Sequence, residues 1–214
     1  MTDEPMLKNA AKPARRRTQA ERSNATRNAV CEATLDALIE YGYERISTTL
    51  IAEKANVSRG ALTHHYPTRN DLFLAAYQYL VDQWAEIYPL GKAHDVSAIS
   101  VTGLIEALWD NIFATKHYIA ALELMLAARI DNELGRSLLV IMSDWMERRD
   151  TKAVALLGSS IENEEDRLFV QLILSVLRGI AIHQSFDNDP SVTDRLLEMW
   201  KDIARQVDAK RPAR

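Results

Sequence analysis

With a single cysteine, Cys31, among 214 residues, the chain cannot be braced by internal disulfides, which suits a reducing cytoplasm. It is long enough for one or two domains with a real core. No apolar run approaches bilayer length and the N-terminus has no signal-peptide core, so no membrane partner is expected. The net charge of −4 hides an asymmetry: residues 11–70 hold ten Lys/Arg against six Asp/Glu, and the remainder is clearly acidic. A basic head on an acidic body suits a polyanion bound at one end only.

Residues 1–18 mix Pro, Lys, Arg and Ala without apolar periodicity and read as a disordered arm. Its Arg15, Arg16 and Arg17 are either a solvated charge run or a basic arm that reaches a minor groove or nearby phosphates. From about Ala20 to Tyr41 an amphipathic helix follows, with Val30, Ala33, Ala37, Leu38 and Tyr41 on one face and Gly42 as its stop. Cys31 in this helix reads as a small packing residue. In Ser47–Arg69, STTLIAEKANVSRGALTHHYPTR, two short helical patterns flank a tight break. Leu50, Ile51 and Ala55 form the apolar side of the first, and Val57, Leu62 and Tyr66 belong to the second. Asn56 tolerates the left-handed backbone that a helix end wants, Ser58 caps the second helix, and Pro67 ends it. Arg59, Gly60, Ala61, Thr63, His64 and His65 make the outward side of that second helix, a polar tip without a bulky apolar residue. This is the helix-turn-helix arrangement, whose second helix enters the major groove of double-stranded DNA.

Thr68 to Asp71 forms a capping box that opens a long helix through Leu72, Phe73, Ala76, Tyr77, Leu80 and Trp84 to about Ile87. Pro89, Gly91 and the polar stretch to Ser100 break the pattern and mark a boundary. The rest reads as helical throughout: Val101 to Phe113, Ile119 to Leu126, then Leu134 to Trp145, each with apolar residues at helix spacing. Residues 168–186, opening with Leu168 and Phe169, are apolar on nearly every side. Residues 192–207, which begin and end on Val192 and Val207, carry Leu196, Leu197, Met199, Trp200 and Ile203. A helix apolar all round needs burial on both sides, and a second subunit is the natural cover.

Catalytic constellations are missing from the pattern. His64 and His65 are adjacent and point to different sides of a helix, whereas a helical metal pair needs a spacing of three or four. His94, His117 and His183 are scattered singly. Glu162, Glu164, Glu165 and Asp166 sit at a helix start, where the helix dipole explains them. No phosphate loop or nucleophile elbow is present. No metal, no cofactor and no enzyme activity are expected.

The run GYERISTTLIAEKANVSRGALTHHYPTRNDLF resembles the N-terminal DNA-binding domain of the tetracycline-repressor (TetR) family of bacterial regulators. The matching positions are Gly42-Tyr43, Thr48-Thr49, Ile51-Ala52, Ala55, Val57-Ser58, Gly60, Leu62, His65-Tyr66 and Asp71-Leu72-Phe73. They span residues 21–76, about a quarter of the chain. Thr63 stands where the family usually has Tyr, and Asn56 where it usually has Gly.

The resemblance implies an all-α protein with a three-helix DNA-binding domain (residues 19–88, including the linking helix) and a ligand-binding and dimerisation domain (residues 96–208). Homodimerisation is implied through residues 168–186 and 192–207 as a four-helix bundle. Arg59 is the first choice for a base contact, with Gly60, Ala61, Thr63 and His64 beside it. Thr48, Thr49, His65 and Arg69 are expected on the phosphate backbone. A small-molecule effector is implied between the body helices, and Trp84, Tyr88, Trp109, Phe113, His117, Met125, Met142, Trp145, Met146, His183 and Phe186 are the candidates to line its pocket. Core packing is the alternative reading for each of them. The function implied is a repressor released from a palindromic operator by a hydrophobic or aromatic molecule. An activator or effector-independent regulator of the same fold, or a helical adaptor, remain as alternatives.

Overall fold

The computed structural model describes residues 18–91, 98–187 and 189–211; the expectations on the arm, with Arg15, Arg16 and Arg17, lie outside them. Helix α1 (Gln19–Tyr41) begins at a capping box, in which the Thr18 hydroxyl accepts from the Glu21 amide at 3.2 Å and the Glu21 carboxylate accepts from the Thr18 amide at 2.7 Å. Both bonds satisfy amides that the first helical turn leaves open. Gly42 ends α1 at φ 72°, a left-handed backbone that glycine adopts without cost. One 3-10 turn (Tyr43–Arg45) leads to α2 (Thr48–Lys54) and α3 (Arg59–His65). The Ser47 hydroxyl caps α2 and the Ser58 hydroxyl caps α3, accepting from Leu50 and Ala61 amides at 3.2 and 3.1 Å. Between them Asn56 takes φ 52°, the left-handed turn expected of it. Tyr66 is extended ahead of Pro67, and α4 (Arg69–Glu86) starts from the Thr68–Asp71 capping box.

Val30, Leu35, Leu38, Ile51, Leu62, Leu72 and Phe73 are fully or almost fully enclosed where α1, α2, α3 and the start of α4 meet. The second half consists of α5 (Val101–Leu108), α6 (Lys116–Ala127), α7 (Asn132–Leu156), α8 (Glu164–Gln184) and α9 (Pro190–Asp208). No strand occurs among the described residues. Helix α1 packs on α4 and α6, α4 on α6 and α7, α7 on α8, and α9 on both α8 and α5. The periodic run expected from Val101 to Phe113 widens at its end into a π turn (Trp109–Phe113), closed by the Ala114 amide on the Trp109 carbonyl at 2.8 Å. The extra residue in that turn re-aims the chain, and Trp109, Ile112 and Phe113 all end up buried.

Helices α8 and α9 are each divided into two faces. Phe169, Val170, Ile173, Leu174 and Leu177 of α8 face the core, as do Leu197, Trp200 and Ala204 of α9. Leu168, Leu172, Met199, Ile203 and Val207 are left exposed. The acidic start of α8 departs from the dipole reading at one position. Asp166 is buried, accepts from the Ser159 hydroxyl and pairs with Arg211, so it ties the chain's end to α8.

Gly42→Ala is expected to cost about 1–2 kcal/mol, the strain of a left-handed non-glycine residue. The added Cβ would also meet Glu123 Oε2 at 3.4 Å. Urea unfolding of the pair of proteins measures this; a loss below about 0.5 kcal/mol would mean that the turn relaxes freely.

Candidate functional site

Leu62 is fully buried and pins α3 to the core, which turns Arg59, Gly60, Thr63 and His64 outward and leaves them exposed. Ala61 and His65 lie half-buried at the flanks. The Thr63 hydroxyl donates to the Arg59 carbonyl at 2.9 Å, so its methyl is the part turned away from the helix. Thr48 and Thr49 start α2, with Thr49 exposed. A groove of about 420 Å³ runs between the first turns of α1 and the end of α3, lined by Gln19, Arg22, Ser23, Thr26, His64 and His65. The α1 residues of this groove were missed in the sequence, because polar residues at a helix start look like ordinary solvated surface. Below α3, the buried Cys31 thiol sits 3.6 Å from the Tyr66 hydroxyl, and burial pushes its pKa up. It is a packing thiol there, poor in thiolate.

Arg69 departs from its expected place. Its guanidinium turns inward, donates to the Tyr43 carbonyl, and lies over the Tyr43 and Phe73 rings at 4.3 and 4.8 Å. The short linker between α1 and α2 curls back against the start of α4, so the nearest acceptor for this arginine is backbone. Tyr43 is also gripped from the other half of the molecule. Its amide donates to Glu123 Oε2 on α6 and its hydroxyl to Asp131 Oδ2, the cap of α7, both at 3.1 Å. The amides of Glu133 and Leu134 and the Tyr43 hydroxyl hold the Asp131 carboxyl below its usual pKa, the Leu134 amide most strongly. Further along the same seam, Lys116 pairs with Asp36 at 2.7 Å, and Tyr79 donates to Glu32 at 2.6 Å.

The candidate pocket residues separate into groups. Trp84 and Trp145 pack tilted with centroids 6.0 Å apart, Trp84 and Tyr118 lie 6.2 Å apart, and Phe113 meets Tyr118 at 4.7 Å. Met125 and Met142 pack half-buried against the same core. Trp109 lines a different cleft, with Ile105, Leu197 and Lys201, between α5 and α9. His117 sits 3.7 Å from Glu32 of α1. Tyr88, Met146 and His183 reach the surface, and Phe186, 80% exposed beyond the end of α8, is the furthest from a pocket. Tyr88 and Phe186 lie past the ends of α4 and α8, and Met146 and His183 lie on the outer sides of α7 and α8.

The aromatic cluster includes polar members that sequence reading passed over. Tyr77 is buried beside it, Arg178 of α8 donates to the Tyr118 hydroxyl at 3.0 Å, and Arg149 and Asp150 of α7 are buried as a pair at 2.8 Å. Charged residues on a helix are normally solvated, and nothing in the sequence marks these as interior. A cleft of about 670 Å³ between α4 and α7, walled in part by Ala85, Leu90, Trp145 and Arg149, opens the cluster's edge to solvent. Among the described residues no group of three or more His, Cys, Asp or Glu is placed to hold a metal ion, and no helix is long and apolar enough to cross a membrane.

Comparison with known proteins matches residues 30–76 to the family described as "Bacterial regulatory proteins, tetR family". CymR of Pseudomonas putida, an HTH-type transcriptional regulator, is 29% identical over 207 residues, covering 92% of this chain and 97% of CymR. Among solved structures, a transcriptional regulator from a Rhodococcus species superposes with a TM-score of 0.65 at 22% identity, covering 84% of this chain and 96% of that one. The multidrug binding protein EbrR, solved in complex with ethidium, gives a TM-score of 0.58 at 20% identity over 81% of this chain and 95% of its own.

Arg69→Ala is expected to lower stability by about 1–3 kcal/mol, through loss of a charge-assisted bond and two cation–π contacts. Chemical denaturation of the variant, with exposed Arg59→Ala as the reference, checks this. Equal stability of the two variants would show that the inward seat of Arg69 contributes nothing.

Proposed function

This chain belongs to the tetR family of bacterial regulatory proteins and is a DNA-binding transcriptional regulator, and from that premise we propose a cytoplasmic homodimeric repressor that a small molecule releases from a palindromic operator. The observation that carries the reading is the orientation of α3, whose apolar side is sealed by Leu62 while Arg59, Gly60, Thr63 and His64 stay uncovered. A short helix presented this way offers donors and a methyl group to base edges in a major groove. We assign residues 19–88 to the DNA-binding domain and residues 96–208 to the domain for effector and partner. Arg59 is the primary base reader, since a guanidinium on guanine is the commonest specific contact. Thr48, Thr49, His65 and the α1 groove with Arg22 position the phosphate backbone, which sets register without reading sequence.

The dimer rests on the outer faces of α8 and α9. Leu168, Leu172, Met199, Ile203 and Val207 are exposed on adjacent helices, and covering a large aliphatic side chain is worth about 1.5–3 kcal/mol. Pairing these faces two-fold gives a four-helix bundle and sets the two α3 helices about 34–36 Å apart, one turn of DNA. The EbrR complex with ethidium supports a body that takes a small organic effector. Occupancy acts by population shift: a molecule favouring the spacing that misses successive grooves weakens DNA binding by its differential affinity for the two states. Tyr43, bound to α6 and α7 on one side and leading into α2 on the other, is the joint through which such a shift reaches the reading pair.

Two measurements test this. Selection of genomic fragments at physiological salt is expected to return a palindrome with half-sites about one helical turn apart. Against it, Arg59→Ala should lose about 1–3 kcal/mol and relax one base position; unchanged selectivity across operator variants would remove Arg59 as a reader. Leu172→Glu combined with Met199→Glu should give a monomer by sedimentation with operator binding sharply weakened, whereas a persistent dimer would move the interface elsewhere.

A further inference from the structure

We propose that the centre of the body is an anion subsite, in which Arg178, with Arg149 behind it, receives the carboxylate of an effector whose remaining surface is aromatic or aliphatic. The proposal deepens the effector reading above and rests on it. Its basis is a charge imbalance inside an aromatic enclosure. Arg149 and Asp150 are both buried, and Nε and Nη2 of Arg149 both reach Oδ1 of Asp150, at 2.9 and 2.8 Å, so this pair is neutral. Arg178 brings a second guanidinium from α8, only partly exposed, and its Nε binds a neutral phenol, Tyr118 Oη, at 3.0 Å. Among the described residues no carboxylate lies within ion-pair distance of Arg178. Both guanidiniums also act on Tyr77 and Tyr118, favouring their ionisation against the effect of burial. Two cations and one carboxylate therefore share a region walled by Trp84, Phe113 and Trp145.

An uncompensated charge in a poorly solvated site is costly, and a carboxylate brought by a ligand offsets that cost. The donor set fits such a group. A guanidinium binds a carboxylate by parallel N–H bonds, and Tyr118, which accepts from Arg178, retains its own O–H to donate. The apolar remainder of the ligand meets the rings. The cleft between α4 and α7 reaches Trp145 and Arg149 at the cluster's edge; Arg178 and Tyr118 are not in its wall, and entry past Trp145 to them is part of the proposal. The carboxylates at its mouth, Glu86, Asp144 and Glu147, are exposed, and Asp144 is already paired with Arg148 at 2.7 Å. They are screened by solvent and leave the interior cation unbalanced. The same excess charge disfavours cationic ligands of the ethidium kind.

The test uses the full-length chain and matched probes: 1-naphthoate and decanoate, their neutral primary amides, and the corresponding primary amines. Isothermal titration and thermal melts are run on the natural protein, Arg178→Met and Tyr118→Phe. At least one acid is expected to bind about tenfold or more tighter than its amide, the difference a charge-assisted bond makes, with the amine weakest. Arg178→Met should erase that preference and, without ligand, melt no lower than the natural protein, because an unbalanced charge has been removed. Tyr118→Phe should reduce the preference in part. Amides or amines that bind as tightly as the acids, failure of both acids to bind, or a ligand-free Arg178→Met that melts well below the natural protein would each overturn the subsite. Operator release, followed in parallel by fluorescence anisotropy, separates this proposal from the reading beneath it. An acid that binds and leaves DNA affinity unchanged upholds the subsite and removes the effector role. An amine that binds and releases DNA does the reverse.

Discussion

Tyr43 is held from several directions, and the arrangement of the reading pair relative to the body depends on it. Arg69 covers one side of its ring and binds its carbonyl, while Phe73 packs against the ring at 5.0 Å. Glu123 takes its amide, and Asp131 its hydroxyl. A buried aromatic with its polar atoms satisfied behaves as a rigid strut. Four residues further along the chain lies Ser47, the cap of α2. The Tyr43 bonds to α6 and to the cap of α7 thus lie within four residues of the α2 cap.

The body shows how a small helical domain handles surfaces that cannot all face inward. Helices α8 and α9 each spend one apolar face on the core and keep another on the surface, which a monomer has no reason to maintain. The interior makes the opposite choice in admitting Arg149, Asp150 and, partly, Arg178 among aromatic rings. Apolar residues of the same volume would pack such a region at lower cost. A π turn at the end of α5 brings Phe113 onto Tyr118, so the irregular backbone and the polar interior meet at one place.

Much of the first half was legible because its signals are local. Gly42, Asn56, Ser58 and the Thr68–Asp71 box act on their own neighbours within four residues, and each sits where its backbone preference predicts. The outward side of α3 follows from the burial of Leu62 alone. The body was legible in its helices and not in how their faces meet. Trp84, Phe113 and Trp145 converge around Tyr118, whereas Met146 and His183, on the outer sides of their helices, and Tyr88 and Phe186, past helix ends, lie at the surface. Periodicity gives the face a residue occupies on its own helix and is silent on which neighbour that face meets.

By itself the sequence determined an all-helical chain, the position of its helix-turn-helix, the outward side of α3, and two late helices with more apolar surface than one core can use. These depend on capping, backbone preference and hydrophobic period, all of which act over a few residues. The tertiary structure alone decided that Arg69 turns inward, that Glu123 and Asp131 grip Tyr43 across 80 and 88 positions of chain, and that two arginines share the body's centre with one carboxylate. Whether a guanidinium is solvated, stacked or paired depends on which atoms a distant segment brings beside it, and helix packing supplies those atoms.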